Sequence, residues 1–207
     1  MRAYRRGMQS NFPTITDFTQ GEEGLYQCIR NDAGNWTLGA VQHGNLVGTM
    51  RGISAPTMVR WMGGDPGKVT ARVMQGIDVS TFRAIARAFY WRPLNCDLLP
   101  AGIDAVVFDF GFNAGIRVAA RQLQAAAGLK GGDVDGDIGP RTIAAVLDAS
   151  ADGNVSRLTA PLIDMQAAYY RQCRLFPVYG ADWIDRTVRR EALALRLAKQ
   201  AGPAAAA

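Results

Sequence analysis

The chain has 207 residues, 48% hydrophobic and 20% charged, and its 23 basic against 18 acidic side chains leave a formal charge of +5 at neutral pH. That length supports a core without disulfide or metal staples, the balance excludes an intrinsically disordered chain, and no run of about 18 apolar residues is present to span a membrane. The positive charge favours an anionic partner without choosing among nucleic acid, phospholipid and bacterial cell wall.

In chain order, Met1–Ser10 is basic but has no apolar segment behind it. It reads as part of a cytoplasmically synthesised chain without a signal peptide. Pro13, Thr14, Thr16 and Asp17 open a predicted first helix from Ile15 to about Gln27, with Ile15, Phe18 and Leu25 on one face. Between Asn31 and Ser54, glycines at 34, 39, 44, 48 and 52 punctuate short runs such as Trp36-Thr37-Leu38 and Leu46-Val47. Gly44-Asn45 between two such runs predicts a small β-hairpin.

Met62–Gly67 is a turn cluster, after which Val69–Gly76 and Thr81–Trp91 read as helical up to Pro93. Ile103, Val106, Val107 and Phe110 fall at i, i+3, i+4 and i+7, and Ala119, Leu123 and Ala127 continue a second stripe after the Gly111–Gly115 break. Pro140 suits the first turn of a further helix carrying Ile143, Val146 and Leu147. Val155, Leu158, Leu162, Met165 and Tyr169 outline a long helix. A last one is predicted over Trp183–Lys199, with Ile184, Val188 and Leu195 inward and Arg186, Arg189, Arg190 and Arg196 outside. The tail from Gly202 through the final alanines is expected to fray.

Three cysteines, Cys28, Cys96 and Cys173, lie far apart, and His43 is the single histidine. Neither a disulfide framework nor a Cys/His zinc site fits, and buried free thiols are expected. Asp133-x-Asp135-x-Asp137 hints at a calcium loop, but Ile138 stands where its glycine belongs and Ala144 where its glutamate belongs. No metal and no cofactor are expected.

The chemistry-bearing stretch runs Glu23-Gly24-Leu25-Tyr26, then Asn31-Asp32-Ala33-Gly34-Asn35-Trp36-Thr37, then Thr49-Met50-Arg51-Gly52-Ile53. A glutamate at a helix end, an aspartate in a following turn and a threonine beyond it form an acid/base layout. Glycosidic hydrolysis needs one carboxylic acid to protonate the leaving oxygen and a second group to hold or activate water. An apolar setting suits the acid role, which fits Glu23, and a solvated turn suits an ionised Asp32. Glu22 is the rival acid, because it, rather than Glu23, lines up with Ile15, Phe18 and Leu25 by helical period.

These residues resemble the glycoside hydrolase family 108 muramidases, which include phage endolysins and secretion-activator proteins. The family's Glu-Gly-Gly-Tyr motif falls on Glu23-Gly24-Leu25-Tyr26, and its Asp-x-Gly-Gly turn on Asp32-Ala33-Gly34-Asn35; Leu25 and Asn35 each replace a motif glycine. The resemblance extends to phage lysozymes, which place a threonine after the aspartate. Thr37 keeps the Glu-x8-Asp-x4-Thr spacing and Thr49 keeps Thr-x-x-Gly-Ile, with Thr49 slightly preferred.

Further along, Ala88–Trp91 and Phe108–Gly115 look like the family's Tyr-Trp and Phe-Asp-x-x-x-Asn-x-Gly elements. Leu123–Gly128 and Val134–Thr142 are similar to a C-terminal peptidoglycan-binding segment. The likeness implies a mainly α, α+β, lysozyme-like fold with the glycine-rich hairpin near its N-terminus. It also implies one globular unit over 1–207, with a catalytic part at 14–112 and a peptidoglycan-binding-like helical part at 113–200 packed on it.

The activity so implied is an N-acetylmuramidase cleaving the MurNAc–GlcNAc β-1,4 bond. Glu23 is the implied general acid, and Asp32 and Thr49 or Thr37 assist. Tyr26, Trp91, Asp109 and Asn113 are candidate substrate contacts, although Trp91 equally suits a core position, and Asp109 and Asn113 equally suit helix capping. A lytic transglycosylase using the same glutamate and a non-catalytic peptidoglycan-binding or secretion-accessory protein are the alternatives. The expected partner is peptidoglycan, not nucleic acid, met by a monomer that reaches the wall after holin- or secretion-dependent release.

Overall fold

The computed structural model describes residues 2–151 and 153–202, with side chains from residue 11 onward. The tail expected to fray lies, from Pro203, outside the described residues. The chain is mainly helical and divides into two compact units, one made of the residues up to Ile15 with those from Arg87 onward, the other of Thr16–Ala86. Helix α1 (Arg2–Glu22) gives its first part to one unit and its last part to the other. It starts before and ends sooner than its periodicity predicts, carrying Pro13 inside and leaving Leu25 beyond its end, 70% exposed.

In the Thr16–Ala86 unit, α2 (Ala55–Trp61), α3 (Ala71–Gln75) and α4 (Val79–Ala86) are short. Ile53, Met74, Phe82 and Ile85 are fully buried in it, and an ion pair joins Asp17 of α1 to Arg83 of α4. The predicted hairpin is not formed. Among the described residues there are only isolated antiparallel bridges, Gln27 to Thr49, Trp36 to Leu46 and Met50 to Ile53. The cause is local: Gly39, Gly44, Gly48 and Gly52 have φ between +73° and +87°, and Gln42 and Arg51 are also left-handed, so no extended run is long enough to make a ladder.

The other unit is built around α5 (Ile103–Ala114), in which Ile103 through Phe112 are all buried. A helix apolar on every side must lie inside a bundle. Its neighbours are α6 (Ile116–Ala126), α8 (Ser156–Arg171) and α9 (Phe176–Ala201). This unit takes in the chain from Arg87 onward together with the residues up to Ile15. Gly115, at φ +99°, makes the predicted break between α5 and α6, and α7 (Pro140–Ala149) begins on Pro140 as expected.

Helix α9 starts ahead of the predicted Trp183, and although Arg189 and Arg196 are exposed as expected, four other positions are the reverse of the expected ones. Arg186 and Arg190 are 5% and 0% exposed, whereas Val188 and Leu195 are 58% and 40% exposed. The reason is Asp109 in the buried helix α5. Its Oδ1 accepts from Arg186 Nη2 at 2.8 Å, and its Oδ2 accepts from Arg186 Nε at 3.1 Å and Arg190 Nε at 2.7 Å. Arg190 Nη1 donates to Gln166 Oε1 at 2.6 Å and its Nη2 to the Tyr170 hydroxyl at 3.5 Å, so the two buried guanidinium groups share one carboxylate and the other donors of Arg190 are placed.

A second buried carboxylate, Asp104, lies at the start of α5. Its Oδ1 accepts from the Gly102 and Ala105 amides and its Oδ2 from Asn11 Nδ2. Burial outweighs those donors and pushes its pKa up to about 7. With the folded value raised, the group's contribution to stability is complete below the unfolded value near pH 4 and is lost as pH rises through about 7. Asp104→Asn, which Asn11 can accommodate by turning its amide, is expected to match wild type at pH 4 and to melt several degrees higher at pH 8. Calorimetry at the two pH values checks this, and an equal difference at both would contradict it.

Of the cysteines, Cys96 is buried as expected, but Cys28 is exposed and Cys173 half-buried; all three are free thiols.

Candidate active site

Glu23 follows the last residue of α1, and its amide still donates to Thr19 O at 3.1 Å, so the helix end determines where its half-buried side chain starts. Four residues on, the Gln27 and Thr49 main chains exchange two hydrogen bonds, Gln27 N–H to Thr49 O at 2.9 Å and Thr49 N–H to Gln27 O at 2.8 Å. This bridge brings the two ends of the glycine-rich loop together.

Asp32 caps the single 3-10 turn Ala33–Asn35, its Oδ1 accepting from the Gly34 amide at 2.8 Å. Its Oδ2 accepts from Gln27 Nε2 at 3.2 Å. The Thr49 hydroxyl donates to Gly34 O at 3.3 Å. Gly34 thus binds Asp32 through its N–H and Thr49 through its carbonyl. A Cβ on Gly34 would lie 3.3 Å from Asp32 Oδ1, 3.5 Å from Ser54 Cβ and 3.8 Å from Thr49 Oγ1, so three oxygen-bearing side chains converge beside this glycine.

The two threonines that fit the sequence spacing occupy different settings. Thr37 is 2% exposed, and its Oγ1 accepts from the Asn45 amide at 2.9 Å, which ties down the Gly44 turn. Thr49 is half-buried beside Asp32. Tyr26 is half-buried, and its hydroxyl donates to Val47 O at 3.1 Å. Its ring packs so closely on Gly48 that a Cβ there would approach ring and Gln27 carbonyl to 2.6 Å. Burial, reinforced by the neighbouring Cys28 thiol, pushes the Tyr26 phenol above its ordinary value. The tyrosine therefore braces the loop that carries Thr49.

The remaining candidates belong to the helical unit. Trp91 is fully buried at the end of a π-helical turn (Arg87–Trp91), packed edge-on against Phe12 and Phe108 at 5.0 and 5.5 Å, with its Nε1 donating to Asp97. Asp109 is fully buried between Arg186 and Arg190. Both correct the expectation of substrate contact, because a group sealed in a core offers a glycan no surface. Asn113 is exposed at the end of α5 and accepts from the Tyr170 hydroxyl at 3.0 Å.

In the segment resembling a peptidoglycan-binding element, the buried Gln124 side chain donates to Asp135 Oδ1, Asp137 O and Thr142 Oγ1 and accepts from the Gly136 amide. Two residues were missed in the sequence: Gln27, which reads as an ordinary polar position, and Asn35, which reads as a replaced glycine but is fully buried. No local signal marks either position, because burial and hydrogen-bond partners are acquired only when the loop closes.

The Glycosyl hydrolase 108 family model matches residues 16–115. No curated protein matches the chain. Among solved structures, "Structure of Brucella abortus SagA" is similar to it at 28% identity and a TM-score of 0.75, over 92% of this chain and 97% of that one. The motif carried on Glu23, Tyr26 and Asp32 lies inside the residues that the Glycosyl hydrolase 108 model matches, and the fold is similar to that of the solved structure along nearly the whole chain.

Proposed function

We propose that the chain is an N-acetylmuramidase, hydrolysing the MurNAc–GlcNAc β-1,4 bond of peptidoglycan. The observation that carries this reading is the closed set of hydrogen bonds joining Asp32, Gly34, Thr49 and Gln27 just after Glu23, the glutamate that follows α1. It holds a carboxylate and a hydroxyl together on the one peptide unit of Gly34, which leaves room for both because it carries no side chain of its own.

In this mechanism Glu23 gives its proton to the leaving glycosidic oxygen. Asp32 orients the attacking water, takes up its proton and stabilises positive charge at the anomeric carbon. Thr49, rather than Thr37, assists by hydrogen bonding, because the Thr37 hydroxyl is buried in the loop. Tyr26 supports the loop, and Asn113 offers an exposed glycan contact on the helical unit. The surplus of positive charge would concentrate the enzyme on an anionic wall. Cytoplasmic synthesis followed by holin- or secretion-dependent release completes the proposal.

Product analysis tests it. Purified sacculi digested with the wild-type protein are expected to yield muropeptides with reducing N-acetylmuramic acid ends, read by mass spectrometry. Products ending in 1,6-anhydro sugars would replace hydrolysis with transglycosylation, and binding to sacculi without soluble products would remove catalysis altogether.

A further inference from the structure

We propose that Gln27, locked by Asn35, is the positioning residue for Asp32; this rests on the role given to Asp32 above. Gln27 is the residue that holds both partners of the acid Glu23. Its main chain exchanges two hydrogen bonds with Thr49, and its side-chain Nε2 reaches Asp32 Oδ2 at 3.2 Å.

The direction of the Gln27 amide is dictated by what lies behind it. Asn35 is fully buried, and its Nδ2 donates both to the Ile29 carbonyl at 3.1 Å and to Gln27 Oε1 at 3.2 Å. A backbone carbonyl can only accept, so Asn35 must turn its NH2 toward Ile29. The reverse orientation would set Asn35 Oδ1 against the Ile29 oxygen. With the Asn35 NH2 so placed, Gln27 must present its oxygen to Asn35 and its NH2 to Asp32.

The chain of bonds, Asp32 to Gln27 to Asn35 to the Ile29 carbonyl, therefore starts from a group that cannot reverse and ends on the water-handling carboxylate. The Asn35 main chain is itself held, because its carbonyl accepts from the Val47 and Gly48 amides at 2.9 and 3.1 Å. Asp32 Oδ1 is meanwhile engaged by the Gly34 amide. Both carboxylate oxygens thus have a fixed donor, and the rotation that would swing the carboxylate away from water is opposed on each side.

The test uses the full-length protein with Gln27→Met, Gln27→Glu and Asp32→Asn, assayed as kcat and KM on soluble glycan strands across pH. The Gln27 to Thr49 bridge is made by main-chain atoms, so both Gln27 variants keep the loop closed, and melting temperatures within a few degrees of wild type are expected. Gln27→Met is expected to lower kcat by roughly 10- to 100-fold with KM within about twofold of wild type. Gln27→Glu sets a second carboxyl beside Asp32, and two such groups share a proton. The acidic limb of its activity profile is expected to move up by at least about one pH unit. The limb position reads whether position 27 touches Asp32, and the fall in kcat of Gln27→Met at unchanged KM and melting temperature is what a purely structural role for Gln27 would not produce.

An inactive Asp32→Asn together with wild-type kcat and pH limbs in both Gln27 variants overturns the positioning role while leaving the assignment of Asp32 intact. Full activity in Asp32→Asn overturns that assignment, and the positioning role with it.

Discussion

Glu23→Gln is expected to keep the fold and lose the clearing of purified sacculi, with kcat falling by roughly 10²- to 10⁴-fold. The leaving oxygen of a glycosidic bond is too basic to depart without a proton, and an amide of the same shape cannot supply one. Glu23 stands where α1 has just ended, its amide still bonded to Thr19 O, so the substitution leaves the helix end and the loop bridges untouched. Melting temperature and circular dichroism should match wild type. Glu22→Gln, one residue earlier on the last turn of α1, is the matched control and should retain activity within about twofold. Retained lysis by Glu23→Gln, or its loss in Glu22→Gln alone, would move the acid to the neighbouring carboxylate.

The largest stability effect is expected at Asp109. Removing its carboxylate as Asp109→Ala leaves two guanidinium groups, Arg186 and Arg190, buried without their counter-charge. Breaking one partner out of a buried ion pair costs about 3–5 kcal/mol, which in a chain of this size lowers the melting temperature by roughly 10 °C. Adding Arg186→Met to Asp109→Ala should recover part of the loss, since it removes one of the stranded charges. The two substitutions then combine less than additively in a double-mutant cycle. Additive losses, or a fall of only 1–2 °C in Asp109→Ala, would mean that water or other groups already solvate the arginines. Chemical unfolding read by circular dichroism measures each variant.

These two residues mark what can and cannot be read from a linear string. Glu23 is legible as the candidate acid because the motif that points to it is local: Gly24, Tyr26 and the Asp32 turn lie within a few residues. The helical elements are legible for the same reason. Apolar spacing outlines α5, α6, α8 and much of α9, Pro140 begins α7, and Gly115 separates α5 from α6, since helix periodicity and the backbone limits of proline and glycine act between neighbours.

Asp109 is different. Nothing near it in sequence indicates that its partners are Arg186 and Arg190, 77 and 81 residues away. Periodicity alone therefore misplaces part of α9, setting Arg186 and Arg190 outward and Val188 and Leu195 inward, while Arg189 and Arg196 are exposed as expected. Charge is normally a surface signal, and only the buried acid on α5 reverses it.

The glycine-rich loop divides along the same line. Its glycines announce a chain that turns often, yet the hairpin they suggest fails because left-handed residues recur too closely for strands to form. Thr37 and Thr49 each satisfy one spacing, so spacing cannot choose between them. The fold separates them by burying the Thr37 hydroxyl against Asn45 and leaving Thr49 next to Gly34 and Asp32.

Length, charge and motif order were enough to indicate a mainly helical chain resembling glycoside hydrolase family 108, with a candidate acid near the end of the first helix, because each of those signals is composed of residues close in sequence. The different settings of Thr37 and Thr49, the commitment of Asp109 and Trp91 to the core, and the hydrogen bond from Gln27 to Asp32 are decided by tertiary structure alone. Each depends on a group's partners in space, and burial and hydrogen bonding are properties that a residue acquires only when distant segments meet.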